Sequence, residues 1–154
     1  MSKMASHENA EVYVDWGSTG FRACRFGPEG PQWHRNPEGG LLHVDQGNFE
    51  SALRREIGAW LVPGVTVWLA GMVTSRNGWV ETPYVPVPAR LEDLARATVE
   101  RRIDDRVTLR FVPGISQREP SPDVMRGEEA QVFGAVGAQG SGLVVLPGTH
   151  SKWV

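Results

Sequence analysis

Two short turns in this chain carry the residue types that hold a phosphate. The first is Asp15-Trp16-Gly17-Ser18-Thr19-Gly20, and the second is Pro147-Gly148-Thr149-His150-Ser151-Lys152. A phosphate is bound by main-chain N–H groups, hydroxyls and a cation brought together in one tight loop. In the first turn Gly17 and Gly20 let the backbone come close, Ser18 and Thr19 offer hydroxyls, and Arg22 can reach back over the loop. Asp15 cannot hold phosphate directly, because like charges repel. It can do so through Mg²⁺, usually by way of coordinated water, so it is the candidate metal residue. In the second turn Thr149, Ser151 and Lys152 set two hydroxyls and an ammonium beside Gly148, with His150 as a further donor. The turns are far apart in sequence, and we read them as two halves of one phosphate clamp.

Two other clusters have the makings of the remaining chemistry. In Arg126-Gly127-Glu128-Glu129 a pair of acids stands at an expected helix start. The helix dipole alone favours acids there. The chemical reading is a general base, or a carboxylate that orients an acceptor hydroxyl for in-line attack on phosphorus. Glu128 and Glu129 are both candidates for that role. Arg126 is placed to bind a substrate carboxylate or to pair with a glutamate. The loop 71–84 offers Ser75, Arg76, Asn77, Trp79, Glu81 and Tyr84, polar groups flanked by aromatic rings, as a sugar or sugar acid requires. Arg76 suits a carboxylate because its fork is bidentate. Each cluster also has a plainer explanation: hairpin turns, a helix start and a loop pinned by buried aromatics.

The elements that must position these residues follow from periodicity. Residues 11–16 and 21–26 alternate like strands around the four-residue loop 17–20, a β-hairpin. Residues 27–40 are rich in Gly and Pro and read as a turn region, with Trp33 in a short strand. Leu41–Val44 is expected to be another strand. Phe49, Leu53, Ile57, Trp60 and Leu61 share one helical face over 49–61, with Asn48 as N-cap. Residues 65–71 form an apolar run suited to a strand covered on both faces. Helices are expected over 91–102 and 126–139, and strands over 109–114 and 142–146. The order predicts an α/β domain with a mixed sheet, antiparallel at its start. Residues 1–10 read as a disordered tail.

Bulk properties narrow the field. The chain has 154 residues and a net charge of -2, which argues against general nucleic-acid or anionic-membrane binding, so any anion site must be local. Cys24 is the single cysteine, so no internal disulfide can form, and it reads as a small core residue in a reducing compartment. The N-terminus lacks the apolar core of a signal peptide, and no apolar run approaches the roughly 20 residues of a membrane span. A cytoplasmic location is the expectation.

With these blocks in view, the sequence resembles the 2-dehydro-3-deoxygalactonokinase family. The resemblance is carried by VDWGSTGFRA, AGMVTSRNGWVETPY, VPG, DVMRGEEAQVFGA and LPGTHSKWV, in that order, from about residue 12 to the last. It implies membership of the sugar kinase, actin and Hsp70 superfamily, with a ribonuclease H-like first domain over residues 11–140 and with 141–154 as the first strand and phosphate turn of a second domain. The implied reaction moves the γ-phosphoryl group of ATP, with Mg²⁺, to the terminal hydroxyl of 2-dehydro-3-deoxy-D-galactonate, a step of galactonate catabolism. Carried over by residue, Asp15, Gly17, Ser18 and Thr19 match the first phosphate block. Gly148, Thr149, His150, Ser151 and Lys152 match the second, Glu128 is the first choice as catalytic carboxylate and Glu129 the second, and the sugar acid is placed near Arg76, Trp79 and Glu81. Thr74 stands where the family often has glycine. Family members carry a further domain after the second turn that holds adenine and ribose. The resemblance therefore implies weak or no turnover by this chain alone, and either a complementing segment or pairing with a second copy. The same logic of turns resembles exopolyphosphatases, with water as acceptor, and a non-catalytic binding remnant is the third reading.

Overall fold

The computed structural model describes residues 10–104, 106–137, 140–147 and 151–154. Six strands form the main sheet: β1 (Glu11–Trp16), β2 (Phe21–Gly27), β3 (Gly30–Asn36), β4 (Thr66–Ala70), β6 (Val99–Ile103) and β7 (Val107–Phe111), in the order β3-β2-β1-β4-β7-β6. The meander β1–β3 is antiparallel, β1, β4 and β7 run parallel, and β6 returns antiparallel on the outer edge. This is the mixed sheet, antiparallel at its start, that the pattern predicts. The first hairpin turns at Gly17–Gly20 as expected. The second turns at Gly27–Gly30, where Gly30 takes φ 105°, a conformation that costs a side-chain-bearing residue energy.

Alternation along the strands divides the sheet into two faces. Val12, Val14 and Trp16 of β1, Phe21 and Ala23 of β2, Val67 and Leu69 of β4, and Leu109 and Phe111 of β7 are buried. They pack with Ala52, Leu53 and Ile57 of the helix α1 (Phe49–Ile57) into one core. A fully buried side chain of this size contributes about 1.5–3 kcal/mol, so this layer fixes the register of β1. Asn48 flanks α1, and its carbonyl, not its side chain, takes the first helical bond. The opposite face carries Tyr13, Phe26, Trp33, Trp68 and Arg110. Tyr13, Phe26 and Trp33 are exposed there.

A second sheet of three strands, β5 (Tyr84–Pro86), β8 (Gly114–Gln117) and β9 (Asp123–Met125), stands beside the first. Helices α2 (Leu91–Ala97) and α3 (Glu128–Val136) follow β5 and β9. The hairpin of β10 (Val145–Leu146) and β11 (Lys152–Trp153) closes the described chain.

Four expectations need correction. Leu41–His43 is a 3₁₀ turn, because the N–H groups of Leu41 and Leu42 donate to Gly17 and Ser18 instead of to a strand. The helix expected over 91–102 stops at Ala97. Thr98 turns its hydroxyl onto the Leu94 carbonyl (2.9 Å), and residues 99–103 form the charged edge strand β6. The third helix is shorter than 126–139. The strand expected over 142–146 is confined to two residues, paired with β11.

Candidate functional site

The β1–β2 turn is held in shape from behind. The Gly17 N–H donates to Gly20 O (3.0 Å), and the carbonyls of Gly17, Ser18 and Thr19 accept from Leu41, Leu42 and Gly40 (3.0, 3.0 and 2.9 Å). A Cβ at Gly40 would overlap the Ser18–Thr19 backbone, so the close approach requires glycine there. Trp16 is fully buried and donates its indole N–H to Gly39 O (2.9 Å), which fastens the 36–42 segment under the turn. With its carbonyls tied inward, the turn leaves the Ser18 and Thr19 side chains exposed. Asp15 precedes it, and its carboxylate pairs with the Arg22 guanidinium directly across the hairpin.

Two distant segments meet Asp15. Gly71 follows β4, next to β1, and takes φ 94°. A Cβ there would sit 2.9 Å from Trp16 O and 3.1 Å from an Asp15 carboxylate oxygen. Gly127 precedes α3 with φ 107°, and a Cβ there would lie 3.0 Å from the Gly71 Cα and 3.7 Å from the same oxygen of Asp15. The β1 turn, the end of β4 and the start of α3 therefore converge, packed through glycines that admit no side chain. The helix start brings its acids with it.

Those two acids live in opposite surroundings. Glu129 is fully buried, and both its oxygens accept from the Gly127 N–H (2.9 and 2.7 Å). Burial pushes its carboxyl up to about 7, only partly offset by backbone hydrogen bonds, and neighbouring Glu128 adds to the rise. Glu128 is half-buried and accepts from the Arg126 N–H (2.8 Å). Of the two, Glu128 is the one a ligand can touch.

The substrate residues named from sequence fare differently. Arg76 and Glu81 are exposed on the loop after β4. Trp79 packs against the core, stacked on Phe49 (6.1 Å between centroids) and edge-on to Phe111 (5.6 Å), so its ring is engaged in packing and not offered as a sugar platform. Arg126 is likewise committed. Its guanidinium donates to the Thr74 carbonyl and hydroxyl and the Thr82 hydroxyl (each 2.7 Å), and lies 4.2 Å from the Tyr84 ring. It ties the start of α3 to the 74–84 loop instead of opening toward a substrate carboxylate. The buried Thr74 and Thr82 that receive it are the functional neighbours a sequence reading misses, since nothing marks a threonine in a loop as an arginine's partner.

Gly148, Thr149 and His150 lie outside the described residues. Ser151 is exposed. Lys152 is buried, and its ammonium pairs with Asp123 at the start of β9, so it is engaged within the protein and not presented to phosphate. That pair ties the β10–β11 hairpin to the strand that leads into Arg126 and Gly127.

Comparison with known proteins decides the family. The sequence profile described as DGOK, 2-keto-3-deoxy-galactonokinase, matches residues 15–154, nearly the whole chain. The chain belongs to this family. It is 39% identical over 147 residues to the Rhizobium meliloti (strain 1021) protein named "Probable 2-dehydro-3-deoxygalactonokinase DgoK1", covering 92% of this chain and 47% of that protein. It is 33% identical over 144 residues to the 2-dehydro-3-deoxygalactonokinase of Escherichia coli (strain K12), covering 93% and 48%. The crystal structure of a Sinorhizobium meliloti protein named "putative 2-dehydro-3-deoxygalactonokinase" superposes with a TM-score of 0.79 at 37% identity, over 94% of this chain and 48% of that one. The chain thus spans about half the length of the relatives it matches.

Proposed function

We propose that this chain carries part of the machinery of a sugar-acid kinase, one that moves the γ-phosphoryl group of ATP to the terminal hydroxyl of 2-dehydro-3-deoxy-D-galactonate. The observation that carries the reading is the convergence of Asp15, Gly71 and Gly127 at one end of the sheet, with Glu128 and Glu129 immediately behind. In such a transfer the protein works by positioning and by neutralising charge. Here the 17–20 turn holds phosphate oxygens by its hydroxyls and Arg22 adds a cation. Glu128 accepts the proton of the acceptor hydroxyl as the hydroxyl oxygen attacks the γ-phosphorus, and the bond from that phosphorus to the bridging oxygen breaks, its electron pair leaving with ADP. Glu129 acts as a positioning residue by gripping the Gly127 N–H. Arg76 and Glu81 are exposed and available to the sugar acid.

The donor set at Asp15 fits Mg²⁺. This ion keeps several waters and needs only one or two carboxylates besides the phosphates; the part-exposed carboxylate of Asp15 would supply one, its present partner Arg22 turning to the phosphates. When bound, the ion would neutralise charge on the transferring phosphate. The sheet order, with an antiparallel meander leading into parallel strands, supports reading residues 11–140 as the ribonuclease H-like first domain of an actin-like fold. Residues 141–154 would then open a second domain, and we assign adenine and ribose binding and full turnover to the half of the relatives' length that this chain does not span. No described helix is long and apolar enough to cross a membrane.

Calorimetry with Mg-ATP and with the sugar acid, in separate titrations, tests the proposal. Binding of the acid that survives Asp15→Asn, beside nucleotide binding that does not, is expected. Failure of the chain to bind the acid, with phosphate released from ATP into water alone, would favour a phosphohydrolase.

A further inference from the structure

The pairing of β1, β2 and β3 sets Asp15, Arg22 and Arg35 in one cross-strand row on the open face of the sheet. Two guanidinium groups directly opposite each other repel, and a neighbouring carboxylate can neutralise only one of them. Asp15 is paired with Arg22. Arg35 has no carboxylate partner among the described residues; it is exposed and lies over the ring of Trp33, 5.4 Å from its centroid. The row forms the floor of a cavity of about 490 Å³ whose wall is the phosphate turn itself, through Gly17, Thr19 and Gly20. A surplus positive charge thus faces the same space as the turn's hydroxyl. His34 and Asn36, the residues on either side of Arg35, point to the other face and bind Glu56 (2.8 and 3.0 Å), which locks the strand and fixes the side on which Arg35 emerges.

We propose that Arg35 is a phosphate-chain ligand, a second guanidinium that works with Arg22 to bind the polyphosphate at the Gly17–Gly20 turn. The inference rests on the kinase reading and adds a residue to it. When the anion enters, Arg35 leaves the Trp33 ring for phosphate oxygens, and the repulsion along the row is relieved. Trp33 therefore reports the event.

The test is a titration of the 154-residue chain with magnesium pyrophosphate, followed by tryptophan fluorescence and by calorimetry, in wild type, Arg35→Ala, Arg35→Lys, Arg22→Ala and Trp33→Phe. Loss of one charge-assisted hydrogen bond predicts a Kd about tenfold or more weaker for Arg35→Ala. Arg35→Lys should recover part of that loss. Trp33→Phe should abolish most of the fluorescence change while keeping the calorimetric affinity. Arg35 is exposed, so circular dichroism should find all its variants folded. If Arg22→Ala weakens pyrophosphate binding and Arg35→Ala does not, this proposal is overturned and the kinase reading stands. It is equally overturned if Arg35→Ala weakens binding of the sugar acid alone. If wild type binds no pyrophosphate, the phosphate site itself fails and Arg35 with it.

Discussion

The two faces of the main sheet are built from alternate residues of the same strands, yet they do different work. On one face Val14, Phe21, Leu69 and Leu109 meet α1 and bury almost completely. On the other, Asp15, Arg22 and Arg35 stand in a row, and Tyr13, Trp33 and Trp68 spread behind them. The apolar face sets the register, and the register sets the row: slipping β2 by one residue against β1 would separate Arg22 from Asp15 and expose Phe21. Stability and chemistry are thereby divided between neighbours in sequence.

The sharpest way to break that contrast is to truncate each face in turn. Leu69→Ala should cost about 2–5 kcal/mol of stability. Trp33→Ala, on the open face and 60% exposed, should cost under about 1 kcal/mol. Urea unfolding would measure both, and equal losses would mean that the open face is covered in solution.

A second contrast, between Glu128 and Glu129, predicts a pH effect nearly as large. A Glu129 carboxyl near 7 in the folded state, against an ordinary 4.5, favours the protonated form on folding. Stability should therefore be highest below about pH 4.5 as far as this group is concerned, fall as pH rises toward 7, and level off above it. The change is on the order of 3 kcal/mol. Glu129→Gln should flatten that slope in thermal melts across the range, whereas Glu128→Gln should leave it in place.

Smaller again is the tether from Arg126. Lysine cannot reproduce the planar fork that reaches Thr74 and Thr82, so Arg126→Lys should cost about 1–3 kcal/mol and raise amide exchange in the 74–82 loop. Asp15→Asn should have the least effect on stability, under about 1 kcal/mol, because its pair with Arg22 is largely solvated. Its effect belongs to ligand binding.

The core face and the first hairpin were legible in sequence because both rest on local pattern: alternation on either side of Gly-Ser-Thr-Gly, broken only where Cys24 is buried beside Ala23. The acids at the start of α3 could be read for the same reason. The commitments of Arg126 and Lys152 could not, since each is settled by partners dozens of residues away that carry no mark of their own. Trp79 shows the limit from another side. An aromatic ring in a polar loop has the composition of a sugar platform, but Phe49 and Phe111 already engage it. Leu41–His43 has strand-forming residues and becomes a turn because its N–H groups are claimed by the carbonyls of the 17–20 turn. Local propensity lost there to a tertiary hydrogen-bond requirement.

The proposal that three segments remote in sequence form one anion site at one end of the sheet is tested most directly by amide NMR of the ¹⁵N-labelled chain during a titration with magnesium pyrophosphate. Ser18, Thr19, Gly71 and Gly127 should shift together along a single binding curve, while Thr66 and Thr108 at the other end of β4 and β7 stay still. Movement of the 17–20 turn alone, or shifts centred on Thr66 and Thr108, would contradict a shared site.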